Sequence, residues 1–167
     1  MTNSKVIIAL DFKSEEEVIS FLDKFGDEKL YVKVGMELFY GQGHKMIQEI
    51  VRRGHSIFLD LKLHDIPNTV KSAMRQLANI GVEMVNVHAS GSIAMMKAAI
   101  DGLNEGKVGD KRPLCIAVTC LTSLDQAVLD DELMIHEPLE NVVLKWATNA
   151  KEAGLDGIVC SPLESKI

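Results

Sequence analysis

A parallel α/β sheet is the fold class the sequence predicts, and three observations predict it. Short apolar runs alternate with longer stretches of helical periodicity, with strands beginning near residues 5, 30, 56, 84, 114 and 157. Most of those runs are apolar throughout, as expected of strands covered on both faces. Charged residues recur at the strand ends, namely Asp11, Lys33, Asp60 and Lys62. In a (β/α)8 barrel such ends converge on one mouth, where active sites are built.

Each element follows from local signals. Residues 5–11 form the first strand, ending in an acid. Ser14 with Glu17 three residues later is a capping box, and its helix runs to about Gly26. Residues 30–36 are strand two, with Lys33 in the middle. A helix over 43–53 ends at Gly54, a C-cap residue. In strand three, Ile57, Leu59, Leu61 and Leu63 alternate with Phe58, Asp60, Lys62 and His64. Period-two alternation puts Asp60 and Lys62 on one face, and Pro67 and Asn68 break the strand. Residues 69–80 are a helix closed by Gly81, and 84–89 are strand four. A helix over 92–102 and a polar loop through Arg112 and Pro113 lead to strand five at 114–119. A helix starting at Pro138 ends near Gly154, and 157–160 are strand six. Ser161, Pro162 and Glu164 then read as the N-cap, N1 and N3 residues of a further helix.

A doubly wound dinucleotide fold needs G-x-G-x-x-G after its first strand, and Leu10-Asp11-Phe12-Lys13 has no glycine. The barrel remains. About 250 residues are typical of that fold, whereas this chain has 167. The expectation is one barrel domain over residues 1–167, incomplete at its C-terminus, with about the first six βα units present. The net charge of −6 gives a nucleic-acid partner no electrostatic support. Cys115, Cys120 and Cys160 are an odd number, each in an apolar run, which suits reduced thiols in a cytoplasmic protein. Met1–Lys5 carries no signal peptide, and no apolar run approaches a membrane span, so a membrane partner is not expected.

The segment Asp60-Leu61-Lys62-Leu63-His64-Asp65-Ile66-Pro67-Asn68-Thr69 matches a D-x-K-x-x-D-I-x-x-T pattern. With Ile8-Ala9-Leu10-Asp11, Val32-Lys33-Val34-Gly35-Met36, Val85-Asn86-Val87-His88-Ala89 and the stretch from Val118 to Ser123, it resembles the bacterial form of the orotidine 5′-phosphate decarboxylase family. The likeness covers essentially the whole chain. Metal-dependent sugar-phosphate decarboxylases and synthases of the same barrel group share D-x-K-x-x-D, but tend to carry an acid on strand two, where this chain has Lys33. The resemblance implies decarboxylation of orotidine 5′-phosphate to UMP, without a cofactor, by a homodimer with shared active sites. It implies that Asp11 and Lys33 hold the ribose, that Thr122 contacts the pyrimidine, and that Asp65, Ile66 and Thr69 reach the neighbouring subunit's site. It also implies two further strands with phosphate-gripping loops, which this sequence lacks, so a non-catalytic fragment is the competing class.

The residue types suit that chemistry. Loss of CO2 from C6 leaves a carbanion with no adjacent π system, so fixed charges must stabilise it. Lys62 is expected to offset that charge and donate the proton. Asp60 is expected beside the departing carboxylate. Lys33, between carboxylates, is expected to keep the array from becoming an unpaired negative cluster, with Asp65 crowded at the same strand end as Asp60 and Lys62. His88 reads equally as core or substrate contact, and His64 as pointing away. His44, His55 and His136 read as surface residues, Met95 and Met96 as core filling, and Asp130-Asp131-Glu132 as a solvated acidic face.

Overall fold

The apolar runs become strands lying side by side in chain order. In the computed structural model, which describes residues 6–164, these are β1 (Ile8–Ala9), β2 (Tyr31–Gly35), β3 (Ser56–Leu63), β4 (Met84–His88), β5 (Leu114–Val118) and β6 (Gly157–Val159). Every neighbouring pair is parallel. Helices α1 (Glu15–Leu22), α2 (Met36–Arg52), α3 (Pro67–Ala78), α4 (Ser92–Gly106), α5 (Gln126–Asp131) and α6 (Leu139–Glu152) complete the crossovers. The result is a curled half-barrel, with β1 and β6 as its two edges among the described residues.

Strand parity explains the layers. Val32, Val34, Ile57, Leu59, Val85, Val87, Cys115 and Ala117 turn outward beneath the helices and are fully buried. They meet Ile47, Ile50, Met74, Met95, Met96 and Leu103 from the helix side. Each buried valine, leucine, isoleucine or methionine among them contributes about 1.5–3 kcal/mol. Lys33, Asp60 and Asn86 point the other way, into the concave face. Helices α3 and α4 pack closest. Gly102 and Gly106 lie against the backbone of Lys71 and Arg75, and a Cβ at either position would overlap a carbonyl oxygen.

A repeated clasp ties the N-terminal ends of the strands. Glu83, just before β4, gives its N–H to the Ile57 carbonyl and accepts the Ile57 N–H on its carboxylate, at 2.6 Å. Asp156, just before β6, does the same for Cys115, at 2.7 Å, and also holds Arg112 at 2.6 Å. His55, just before β3, accepts the Leu30 N–H on Nδ1. Each side chain satisfies a backbone donor that the ladder leaves over.

Several expectations change. The start of strand one at Lys5, and any continuation of the last turn past Glu164, lie outside the described residues. Residues Val6, Ile7 and Ala9 are exposed, since β1 is an edge and its inner face is uncovered here. Helix α2 starts seven residues earlier than expected (36 against 43), because Gly43 at φ +68° joins two helical segments across a kink. Helix α3 begins at Pro67, which occupies a helical first turn rather than breaking a strand. Asp125 caps the short α5 by accepting the Val128 N–H. His55 is buried, not superficial, because the clasp places it between two strands. Ser161 and Glu164 form the expected capping pair around a 3-10 turn, with Ser161 N–H donating to the Glu164 carboxylate. The Ser14 hydroxyl accepts the Glu17 N–H as expected, while the Glu17 carboxylate turns back to the Lys13 N–H.

Candidate active site

The C-terminal ends of β1, β2 and β3 bring four charges into one row. In the register, Ala9 faces Lys33 and Gly35 faces Asp60, so side chains two residues apart along the strands converge across them. Asp60 sits near the end of β3 with only 13% of its side chain exposed. Its Oδ1 accepts from the Lys62 ammonium at 2.7 Å, and its Oδ2 lies 3.6 Å from Lys33 Nζ. Lys33 in turn stands 3.4 Å from Asp11 Oδ1. Signs alternate along the row: Asp11, Lys33, Asp60, Lys62. No member is left as an uncompensated buried charge.

Strand three is not a regular strand where it delivers Lys62. Leu59 faces Val85 and Leu63 faces Val87, so four residues of β3 span two of β4. At this bulge Lys62 adopts φ +52°. A left-handed non-glycine residue costs roughly 1 kcal/mol and is held only where its surroundings over-determine it. Period-two alternation therefore stops at Leu61, and His64 lies beyond the strand. Bulges next to active sites re-aim a side chain. Here the re-aimed side chain is the ammonium that meets Asp60.

Asn86 of β4 completes the site. Its Nδ2 donates to Asp60 Oδ1 at 2.6 Å, and its Oδ1 accepts the Lys62 N–H at 2.7 Å. Burial alone would raise the Asp60 carboxyl. The hydrogen bonds from Lys62 and Asn86, with the charges of Lys62 and Lys33, outweigh it and hold the group below the usual carboxylate range. His88 stands two residues further along β4, its ring 5.7 Å from that of His64. Burial lowers its pKa first, and the charges of His64 and Lys62 lower it further.

Two cavities meet at this row. One, of about 220 Å³, is lined by Asp11, Phe12, Lys33, Met36, Asp60 and Lys62. The other, of about 240 Å³, shares Lys33, Asp60 and Lys62 and adds Phe58, Asn86, Val118, Thr122 and Val159. The first is the more polar and the second the more apolar. A larger hollow of about 440 Å³ lies at the opposite ends of the strands, among Tyr31, Ser56, Glu83, Arg112 and Leu114. Its acid, Glu83, is bonded to backbone, so the smaller pair is the better candidate for chemistry.

Of the residues singled out in the sequence, Asp11, Lys33, Asp60, Lys62 and Thr122 gather here. Asp65, Ile66 and Thr69 do not. They sit exposed at the start of α3, with Asp65 Oδ1 accepting the Ile66 N–H and Ile66 67% exposed. Asn86 reads in the sequence only as part of the stretch 85–89, with no role of its own. Its signal was a lone amide at the centre of an otherwise apolar strand. Among the described residues no group of three or more His, Cys, Asp or Glu could hold a metal ion, and no helix is long and apolar enough to cross a membrane.

Known proteins share both sequence and shape. A curated orotidine 5′-phosphate decarboxylase of Bacillus cereus (strain B4264) is 58% identical over 163 residues, which span 97% of this chain and 68% of that protein. The protein of the same name from Bacillus mycoides (strain KBAB4) is 57% identical over the same length. Among solved structures, orotidine 5′-phosphate decarboxylase from Lactobacillus acidophilus superposes with a TM-score of 0.91 at 46% identity, over 95% of this chain and 72% of that one. An uncharacterized conserved protein from Geobacillus kaustophilus gives 0.94 at 54%, over 96% and 75%. The family model described as orotidine 5′-phosphate decarboxylase / HUMPS matches residues 4–167. With that match, these identities and the half-barrel that carries the charge row, the chain belongs to the orotidine 5′-phosphate decarboxylase / HUMPS family, a family of carboxy-lyases.

Proposed function

We propose that the protein converts orotidine 5′-phosphate to UMP, in pyrimidine biosynthesis, with Lys62 as proton donor and no cofactor. The observation that carries this reading is the alternating row, in which an ammonium is held 2.7 Å from a carboxylate of depressed pKa between two small cavities. The C6–carboxylate bond breaks, CO2 departs, and the electron pair stays on C6. A proton from Lys62 Nζ closes that valence, and solvent restores the lysine. Fixed positive charge at C6 favours the transition state over the substrate, whose carboxylate instead meets Asp60. The more polar cavity beside Asp11 and Lys33 suits a ribose, and the more apolar one beside Phe58, Val118 and Thr122 suits a pyrimidine ring.

Turnover of orotidine 5′-phosphate, followed by its loss of absorbance in excess EDTA, tests the reading. Full activity with the chelator is expected. Activity lost on chelation and restored by Mg2+ would instead favour a metal-dependent sugar-phosphate chemistry.

A shared active site belongs to the same proposal. Asp65, Ile66 and Thr69 face solvent together at one end of α3, where a two-fold partner can receive them. Mixed dimers of Lys62→Ala and Asp65→Ala subunits should regain working sites, since each supplies what the other lacks. No activity in verified heterodimers sinks the shared site but not the chemistry.

A further inference from the structure

Asn86 is 1% exposed at the centre of β4, and both ends of its amide are engaged. Packing alone does not call for an amide there, because a leucine would fill a similar volume at no cost in buried polarity. The bulge supplies the reason. Between Leu59 and Leu63 the β3 backbone leaves the ladder it shares with β4. The Lys62 N–H falls in that gap, in a left-handed residue that cannot follow the strand. Asn86 Oδ1 takes this N–H, replacing a ladder acceptor with a side chain. Its Nδ2 is then left facing Asp60 Oδ1, the same oxygen that the Lys62 ammonium meets.

We propose that Asn86 is a positioning residue of this site. One planar amide fixes the Lys62 backbone and the Asp60 carboxylate relative to each other, so that ammonium and carboxylate oxygen meet in one geometry. The two hydrogen bonds of the Asn86 amide go to the Lys62 N–H and to Asp60 Oδ1. It acts through Asp60 and Lys62, so the catalytic consequence rests on the reading above, whereas the geometric one does not. Support of this kind is what keeps reacting groups within a fraction of an ångström of their working positions. A misplacement of about 1 Å can cost ~10²-fold in rate.

Two substitutions separate the two halves of the amide. Asn86→Asp is isosteric and keeps an acceptor for the Lys62 N–H, but turns a carboxylate oxygen toward Asp60. Two facing carboxylates share a proton, and the pair titrates with one step raised. The groups around that pair are Lys62 on β3, Lys33 on β2, Asp11 beyond β1, and His88 on β4 with His64 beside it. The expected result is a fall in kcat of about 10²-fold at neutral pH, with KM changed less. The deficit should shrink toward acid pH, because a proton on the pair restores a donor to Asp60. Asn86→Ala removes both bonds.

Thr119→Val provides the structural control. It deletes a buried hydroxyl that donates to the Val159 carbonyl at 3.1 Å on the next strand, and should lower stability without changing kcat per folded molecule. A readout free of turnover completes the test. The 13C-detected titration midpoint of the Asp60 carboxyl should rise in Asn86→Ala relative to wild type. If that variant does not fold, Asn86→Asp carries the test through its pH profile. The proposal is overturned by an unmoved Asp60 midpoint, by wild-type kcat in Asn86→Asp at every pH, or by a loss no greater than that of Thr119→Val. Absence of decarboxylation in the wild type would reject the proposed function, and the Asp60 midpoint would still decide the role of Asn86.

Discussion

The two ends of the strands use the same kinds of residue for opposite purposes. At the N-terminal ends, Glu83, Asp156 and His55 spend their acceptors on backbone N–H groups of the preceding strand. At the C-terminal ends, Asp60 and Asp11 face lysines, and the backbone donor of Lys62 is met by the Asn86 amide. The first arrangement leaves little charge to react with anything. The second holds charge at short range beside open space, and it also holds strain in the left-handed Lys62. A barrel thus separates the end that maintains the sheet from the end that can do chemistry.

The largest expected effect breaks the C-terminal end alone. Lys62→Ala should lower kcat by about 10³-fold or more, in line with loss of both a general acid and a fixed charge. That corresponds to roughly 4 kcal/mol of transition-state free energy. The drop should fall on kcat rather than on KM, because the interaction belongs to the transition state. Thermal melting should move much less than turnover. A purely raised KM would remove Lys62 from the role proposed.

An intermediate effect breaks the N-terminal end. Glu83→Ala leaves the fully buried Ile57 N–H without its carboxylate acceptor, a cost of about 1–3 kcal/mol. Denaturant unfolding should show that loss while kcat per folded molecule stays unchanged. Equal damage to kcat would mean that the two ends are not separable.

The smallest effect is a pH slope. Burial first, then the charges of Lys29 and Arg53, depress the His55 pKa, and its Nδ1 must be unprotonated to accept the Leu30 N–H. The unfolded chain, with a histidine near the ordinary value of about 6.5, therefore binds protons that the folded chain refuses. Stability should be flat with respect to this group above that pH and fall as pH drops below it, until the folded pKa is passed. His88, lowered chiefly by burial as well, contributes in the same direction. His55→Gln should remove part of the slope, as read from melting temperatures across the acid range. An unchanged slope would mean that His55 is not the titrating group.

Much of this contrast was legible in the sequence, and for identifiable reasons. Alternating apolar runs and helix stretches were enough for a parallel α/β sheet, since burial on both faces leaves a continuous apolar signature, and the missing glycine motif with the charged strand ends turned that into a barrel. Asp11, Lys33, Asp60 and Lys62 stood out because charge inside such a run is costly. Asn86 did not, because an uncharged amide is a weak signal without knowledge of the bulge opposite. The bulge itself was hidden, since regular alternation in Ile57 to Leu63 gives no hint that Lys62 leaves the ladder. His55 was missed for the converse reason. A histidine after Gly54 reads as a loop residue until the strand pairing shows which N–H it faces. The early start of α2 was masked by Gly41 and Gly43, which are helix breakers by composition but here mark a kink.

The close approach of α4 to α3 bears on association as much as on packing. With Gly102 and Gly106 seated on the Lys71 and Arg75 backbone, α3 and α4 meet backbone to backbone. The segment at its N-terminus, with Asp65, Ile66 and Thr69, is therefore presented by a fixed strut rather than by a pliable loop. In the proposed dimer those side chains would arrive already arrayed, and docking would sacrifice little conformational entropy. A single methyl group at Gly106, far from any charge in the site, would wedge the two helices apart. It would then weaken recognition between subunits by loosening the shape of the surface rather than its chemistry.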